Sequence, residues 1–151
     1  MIDVHSKADY PAGALSNFCS YPFVYDGVEC GSMEGFLQSL KFRSQRRQRR
    51  VCLLSGKTAK NMGKRGVTWR LFGRLYWKGR RIDRMGEDFT ALVQSAYLAL
   101  YQSSTVFQKA LEDTKNEPLC HSIGGSDKRK TVLTEEEFIF FLNGLRQRCK
   151  N

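Results

Sequence analysis

An Asp-Gly pair between two short β-prone runs, followed at once by an amphipathic helix, constrains this chain more than any other stretch. Phe23-Val24-Tyr25 and Val28-Glu29-Cys30 flank Asp26-Gly27. A tight primed turn needs positive φ at its central positions; Gly adopts it freely and Asp tolerates it, so the stretch predicts a β-hairpin. Ser32 is a good N-cap, and Glu34 falls in the first turn, where a carboxylate meets the positive end of the helix dipole. Met33, Phe36, Leu37 and Leu40 recur at helical spacing and predict one buried stripe. Glu34, Gln38 and Lys41 form a second row, roughly 115° round the helix from the first. That row is either a solvated flank or the wall of a cleft.

The remaining periodic segments are mostly helical. A long helix is predicted from about Arg81 to Gln102, with Met85, Phe89, Leu92, Val93, Ala96 and Leu100 as its core stripe. A shorter one, about Thr105 to Asp113, is expected to bury Val106, Ala110 and Leu111. Thr134 and Glu137 make a capping box ahead of a last helix whose stripe is Phe138, Phe141, Leu142 and Leu145. Residues 1–14 read as a short strand and a turn-rich loop, and 114–133 as loop. The arginines Arg43, Arg46, Arg47, Arg49 and Arg50 follow the central helix without an obvious breaker and predict its continuation. They are either a solvated helical end or a patch that contacts a polynucleotide. Residues 67–80, with Trp69, Arg70, Phe72, Arg74, Tyr76, Trp77, Lys78 and Arg80, read as an aromatic and basic loop of the kind that stacks on bases, or as a buried connector with snorkelling arginines.

Composition sets the outer bounds. The 151 residues suit one domain, and 41% apolar with 26% charged is an ordinary globular balance. No run approaches the roughly 18 apolar residues of a membrane span, and Met1 to His5 has neither the basic nor the apolar part of a signal peptide. A cytoplasmic protein without a membrane partner is expected. Five scattered cysteines with no C-x-x-C pair, and only two histidines, argue for reduced thiols and against a zinc site. The net charge of +10 favours an anionic partner, nucleotide or nucleic acid, without choosing between them. Ser55-Gly56-Lys57-Thr58 is not a P-loop, because Val51 stands where the first glycine is required.

Several motifs together resemble the NADAR (YbiA-like) family. They are Leu15-Ser16-Asn17-Phe18, Pro22-Phe23, Asp26-Gly27, Ser32-x-Glu34, Gln38 and Lys41-Phe42. Ala59-Lys60-Asn61-Met62-Gly63-Lys64 is similar to its A-x-x-M-G-R segment, a short helix ending in glycine and presenting cations to a phosphate or diphosphate. Trp77, ahead of Met85, resembles its active-site tryptophan. The pattern departs at Gly35, where the family usually has His, and at Cys19, where an aromatic residue is common. The D-x-x-W-G motif is absent; His121, Gly124, Asp127 and Thr131 resemble a variant, H-S-x-G-x-x-D followed by T-V-L-T-x-x-E-F. The resemblance implies an α+β fold, predominantly helical with a few short strands, in one domain spanning 1–151. It implies hydrolysis of an N-glycosidic bond in an ADP-ribosylated nucleobase such as guanine, or in a phosphoribosyl-amino heterocycle, with no cofactor. Glu34 and Asp127 are then the catalytic candidates. Asn17, Phe18, Gln38, Lys41, Asn61, Gly63, Lys64, Trp77, His121 and Gly124 are the candidates for binding substrate, free or carried on nucleic acid. The alternative is a non-catalytic binder of NAD- or ADP-ribose-type nucleotides or of nucleic acid.

Overall fold

The Asp-Gly turn forms as expected. In a computed structural model describing residues 1–150, Asp26 and Gly27 both take positive φ, 51° and 75°. They join β2 (Phe23–Tyr25) to β3 (Val28–Cys30) in an antiparallel pair that sets Tyr25 opposite Val28. A second hairpin, β4 (Leu75–Trp77) with β5 (Arg80–Ile82), turns through Lys78 and Gly79, again both at positive φ. The sequence predicts a loop here. The Lys-Gly pair was a weaker signal than Asp-Gly, because lysine has no side-chain preference for that conformation. β1 (Ile2–Asp3) pairs in parallel with β6 (Leu119–Cys120), which lies inside the expected loop 114–133.

Helices make up most of the rest: α1 (Met33–Ser39), α2 (Gln45–Cys52), α3 (Gly56–Gly63), α4 (Val67–Phe72), α5 (Glu87–Ser103), α6 (Thr105–Asp113) and α7 (Glu135–Cys149). The mostly helical α+β architecture is therefore as expected. The stripes of α1 and α7 are fully buried, and Phe89, Val93, Ala96 and Leu100 of α5 join the same core. Two stripe positions are corrected. Met85 is 56% exposed because it precedes α5, which starts at Glu87 after β5 and a turn. Val106 is 55% exposed, and its neighbour Phe107 is the buried one. Among the described residues no helix is long and apolar enough to cross a membrane, and all five cysteines are free.

The expected continuous helix through the arginine run is broken. α1 ends at Ser39, and Ser44 starts α2 by accepting a hydrogen bond from the Arg47 amide at 3.3 Å. The buried amide of Gln48 stabilises the break: its Nε2 donates to the carbonyls of Ser39 (3.0 Å), Phe42 (3.4 Å) and Tyr76 (2.8 Å). Its Oε1 accepts from the Lys78 amide at 3.0 Å. One side chain thus holds α1, α2 and the β4–β5 hairpin together, and it satisfies backbone groups that would otherwise be buried unpaired.

α2 then folds back so that its end lies on the start of α1. The Gly31 amide donates to Cys52 O at 2.8 Å, and Ser32 Oγ donates to Leu54 O at 2.8 Å while capping the Gly35 amide. There is no clearance at Gly35. A methyl group there would sit 2.4 Å from Leu54 O and 2.6 Å from Cys52 O. Gly35→Ala is expected to cost about 1–3 kcal/mol by overpacking against backbone that cannot move aside. Urea unfolding measures it, and a change under about 0.5 kcal/mol, the usual range of surface substitutions, would show that the joint is looser than described.

Candidate active site

With its apolar stripe in the core and Gly35 against α2, α1 has one open arc, and Glu34, Gln38 and Lys41 occupy it. The row is a cleft wall. All three line a cavity of about 330 Å³, together with Asn17, Phe18, Lys64, His121 and Gly124 from the expected set. Each is held by a separate device.

The backbone of Asn17 accepts the Glu34 amide at 3.0 Å, which ties the 15–18 loop to the first turn of α1. The Asn17 side chain accepts, at Oδ1, the hydroxyl of Tyr97 at 2.8 Å. Burial pushes the Tyr97 phenol well above its usual pKa, so it stays a neutral donor. With Oδ1 engaged, the Asn17 amide nitrogen is left for a ligand. Gln38 Nε2 donates to Glu34 Oε1 at 2.8 Å. Its own Oε1 is buried without a partner, pressed over Gly63, where a methyl would sit 1.8 Å from it. Gly63 therefore acts from behind the wall, by leaving room for the amide that orients Glu34. Lys41 passes beside buried Trp69, its ammonium 5.9 Å from the ring centroid.

The opposite wall hangs on the β1–β6 pair and on α7. His121 directs Nδ1 at the Val4 carbonyl, which can only accept, so Nδ1 carries the proton and Nε2 is the free nitrogen. Its ring meets Phe138 edge-on at 5.1 Å. Thr131, Val132 and Leu133 also line the cavity. They are fixed by Arg84, whose Nε donates to Thr131 O at 3.3 Å and whose guanidinium forks onto Glu137 in a buried ion pair. Glu137 closes the expected capping box with Thr134.

Charge is unevenly shared. Lys41, Lys60, Lys64 and Lys130 line the cavity; Glu34 is its one carboxylate. Among the described residues none of these five makes an ion pair within 4.0 Å. Burial pushes the Glu34 carboxyl above its usual value, and the Gln38 hydrogen bond, then the charges of Lys60 and Lys41, pull the other way. Burial lowers the Lys41 ammonium, and Glu34 opposes that. No group of three or more His, Cys, Asp or Glu is placed to hold a metal among the described residues. The donor set suits an anion, and lysine is a point-charge phosphate binder.

Four expected site residues do not line the cavity: Gly63, which sits behind Gln38, and three that lie elsewhere. Trp77 is buried between Tyr25 and Phe36 and donates Nε1–H to Asp26 Oδ2 at 2.9 Å, pinning the first hairpin. Asp127 is outside the cavity; its carboxylate takes the Arg129 amide and guanidinium, which hold its pKa below the usual range. Asn61 is exposed and does not line the cavity. Lys130, Tyr97 and Arg84 carry no sequence signal, and Lys60 appears there only as part of the cation-presenting segment. Lys60 was recoverable, since it lies four residues before Lys64 and so shares its helix face. Tyr97 and Arg84 meet their partners over separations of 80 and 53 residues, which no local pattern shows.

The arrangement of elements is that of YbiA. The NMR structure of the E. coli protein YbiA matches with a TM-score of 0.62 and 18% identity, over 98% of this chain and 86% of that one. The family described as bacteriophage protein GP30.3 matches residues 9–147, and the chain belongs to that family. A relative from Enterobacteria phage T4, an uncharacterized 17.1 kDa protein in the Gp30–rIII intergenic region, is 38% identical over 146 residues, 96% of each chain.

Two outcomes follow for the site. In a carboxyl NMR titration Glu34 should titrate above its ordinary 4.5, and Lys41→Met should move it further up by removing a charge that favours the ionised form. Glu34 titrating with the exposed glutamates would contradict the burial. Arg84→Met should destabilise by about 3–5 kcal/mol in urea, because it strands the Glu137 carboxylate. Adding Glu137→Met should restore most of that, less about 1 kcal/mol for the lost cap.

Proposed function

We propose that this chain is an N-glycosidase that hydrolyses the bond between a phosphorylated ribose and a nitrogen leaving group. The observation that carries the reading is Glu34, a lone carboxylate facing a cavity ringed by lysines. Cleaving the bond builds positive charge at the anomeric carbon, and a fixed carboxylate beside it stabilises that charge. Gln38 holds Oε1, so Oε2 is left to face the sugar or to take the proton of attacking water. The raised Glu34 pKa suits a general base. The free Asn17 amide would hold ribose hydroxyls, and His121 Nε2 would face the departing nitrogen.

The favoured substrate is an ADP-ribosylated nucleobase such as guanine. Four lysines against one glutamate leave an excess charge that matches a diphosphate better than a single phosphate. A phosphoribosyl-amino heterocycle is the other candidate of the same chemistry. The position of Asp127 favours a second reading, since the two-carboxylate geometry of most glycoside hydrolases is not built here. In that reading the cavity binds an ADP-ribose-type nucleotide without cleaving it.

Mass spectrometry of ADP-ribosylated guanosine, and then of the phosphoribosyl heterocycle, separates these. Wild type should release ADP-ribose, and Glu34→Gln should lower turnover by about 10²–10⁴-fold while keeping the fold. The wild-type rate should fall on the acid side through a limb lying above 4.5, because protonation disables the base, and the variant should lack that limb. Wild-type turnover in a folded Glu34→Gln protein would remove Glu34 from the chemistry. Bound but intact nucleotide would establish the binder.

A further inference from the structure

α2 carries a feature that the cavity does not use. Arg46, Arg49 and Arg50 share one face at helical spacing and line a separate groove of about 570 Å³ with Gly27, Val28, Glu29 and Leu53. Arg43 and Arg47 are their neighbours in the chain, and the Arg47 guanidinium carbon lies over the Phe42 ring, 4.5 Å from its centroid. All five arginines are exposed, and none makes an ion pair within 4.0 Å among the described residues. No α2 residue lines the Glu34 cavity. The face is also rigid. Gln48 fixes the inner side of α2 to four backbone groups, and the hairpin forming the groove's other bank is pinned through Asp26 to Trp77 and Lys78.

We propose that this face binds the phosphate backbone of a double-stranded nucleic acid without reading its sequence. The charge matches: three arginines line the groove against one acid, Glu29, and two more exposed arginines, Arg43 and Arg47, belong to the same run. The chemistry matches, since every cation on this helix is arginine, whose planar fork suits phosphate oxygens. A protein partner fits less well. Interface cores are apolar and poor in charge, and only Leu53 offers an exposed apolar side chain in this groove. A single strand fits less well too. Its unstacked bases need aromatic platforms, and the nearby rings of Phe42, Tyr76 and Trp77 are buried. Backbone contacts position a duplex and carry no base information. This inference is independent of the glycosidase reading, because its readout is binding and no turnover is involved.

The test is fluorescence anisotropy of a labelled duplex of arbitrary sequence against the full chain, over a range of salt. Wild type should bind with an affinity that falls steeply with salt. Arg46→Ala/Arg49→Ala/Arg50→Ala should bind more weakly and flatten the log–log slope by about 3, at roughly 0.9 per lost phosphate contact. Alanine at exposed helix positions preserves the helix, and an unchanged melting temperature confirms it. Lys60→Ala/Lys64→Ala, in the cavity, should leave the slope as it is. Absent binding, a slope unmoved by the arginine variant, a slope moved by the lysine variant, tighter binding of a single strand, or equal competition by polyglutamate would each overturn the proposal.

Discussion

The contact between the start of α1 and the end of α2 decides what the rest of the molecule can present. Backbone meets backbone there. Gly31, Ser32 and Gly35 lie against the carbonyls of Cys52, Leu53 and Leu54 with no room for a Cβ at Gly35. A helix held so closely on one side, and buried along Met33, Phe36, Leu37 and Leu40 on another, has no rotational freedom left. Its third side must face the cavity. Glu34, Gln38 and Lys41 are thus oriented by packing they take no part in, as a preorganised site requires. The same contact accounts for the glycine at position 35, where the NADAR pattern that the chain resembles has histidine. In this chain the terminal carbonyls of α2 fill the space that such a side chain would need.

Electrostatics complete what packing begins. Partly burying a carboxylate is unfavourable unless something meets its charge. Here the compensation is spread over a hydrogen bond from Gln38 and lysines held off at a distance, with no direct ion pair. A tight bridge to Glu34 would satisfy the carboxylate and take it out of reach of a ligand. Distributed charge keeps it ionisable and leaves the lysines available for an anion. The buried Arg84–Glu137 pair shows the opposite solution. Charge and hydrogen bonds are fully matched there, and the role is to hold the Thr131–Leu133 wall in place.

Much of this was legible in the sequence where the signal is local. The Asp26-Gly27 hairpin, the Ser32 cap, the Glu34–Gln38–Lys41 row and the Thr134–Glu137 box each depend on residues a few positions apart. Local chemistry misled where one residue type serves two ends. An aromatic residue among arginines reads as a stacking platform, yet Trp77 is a pin for Asp26, and Trp69 is the one beside Lys41. Asp127, a catalytic candidate through the resemblance to the variant motif, is spent on its own turn. The unbroken arginine helix failed because Gln48, a polar residue in a polar run, reaches carbonyls up to 28 residues away.

With Asp127 and Trp77 outside the cavity, any chemistry performed there rests on Glu34 with help that is not carboxylate. This narrows the reaction. A second carboxylate is needed chiefly to protonate a poor alkoxide leaving group or to trap the sugar covalently. A heterocyclic nitrogen leaves with its charge delocalised over the ring and needs less of that help. His121, its proton on Nδ1 committed to Val4, turns an Nε2 acceptor toward the cavity that would take an N–H of the departing base and orient it. In the proposed reaction the lysines would supply the remainder by holding the phosphates, so that binding energy far from the bond would fix the anomeric carbon against Glu34. A single carboxylate in a lysine-rich cavity is therefore poorly matched to ordinary O-glycosides and well matched to a phosphorylated ribose carrying a good nitrogen leaving group.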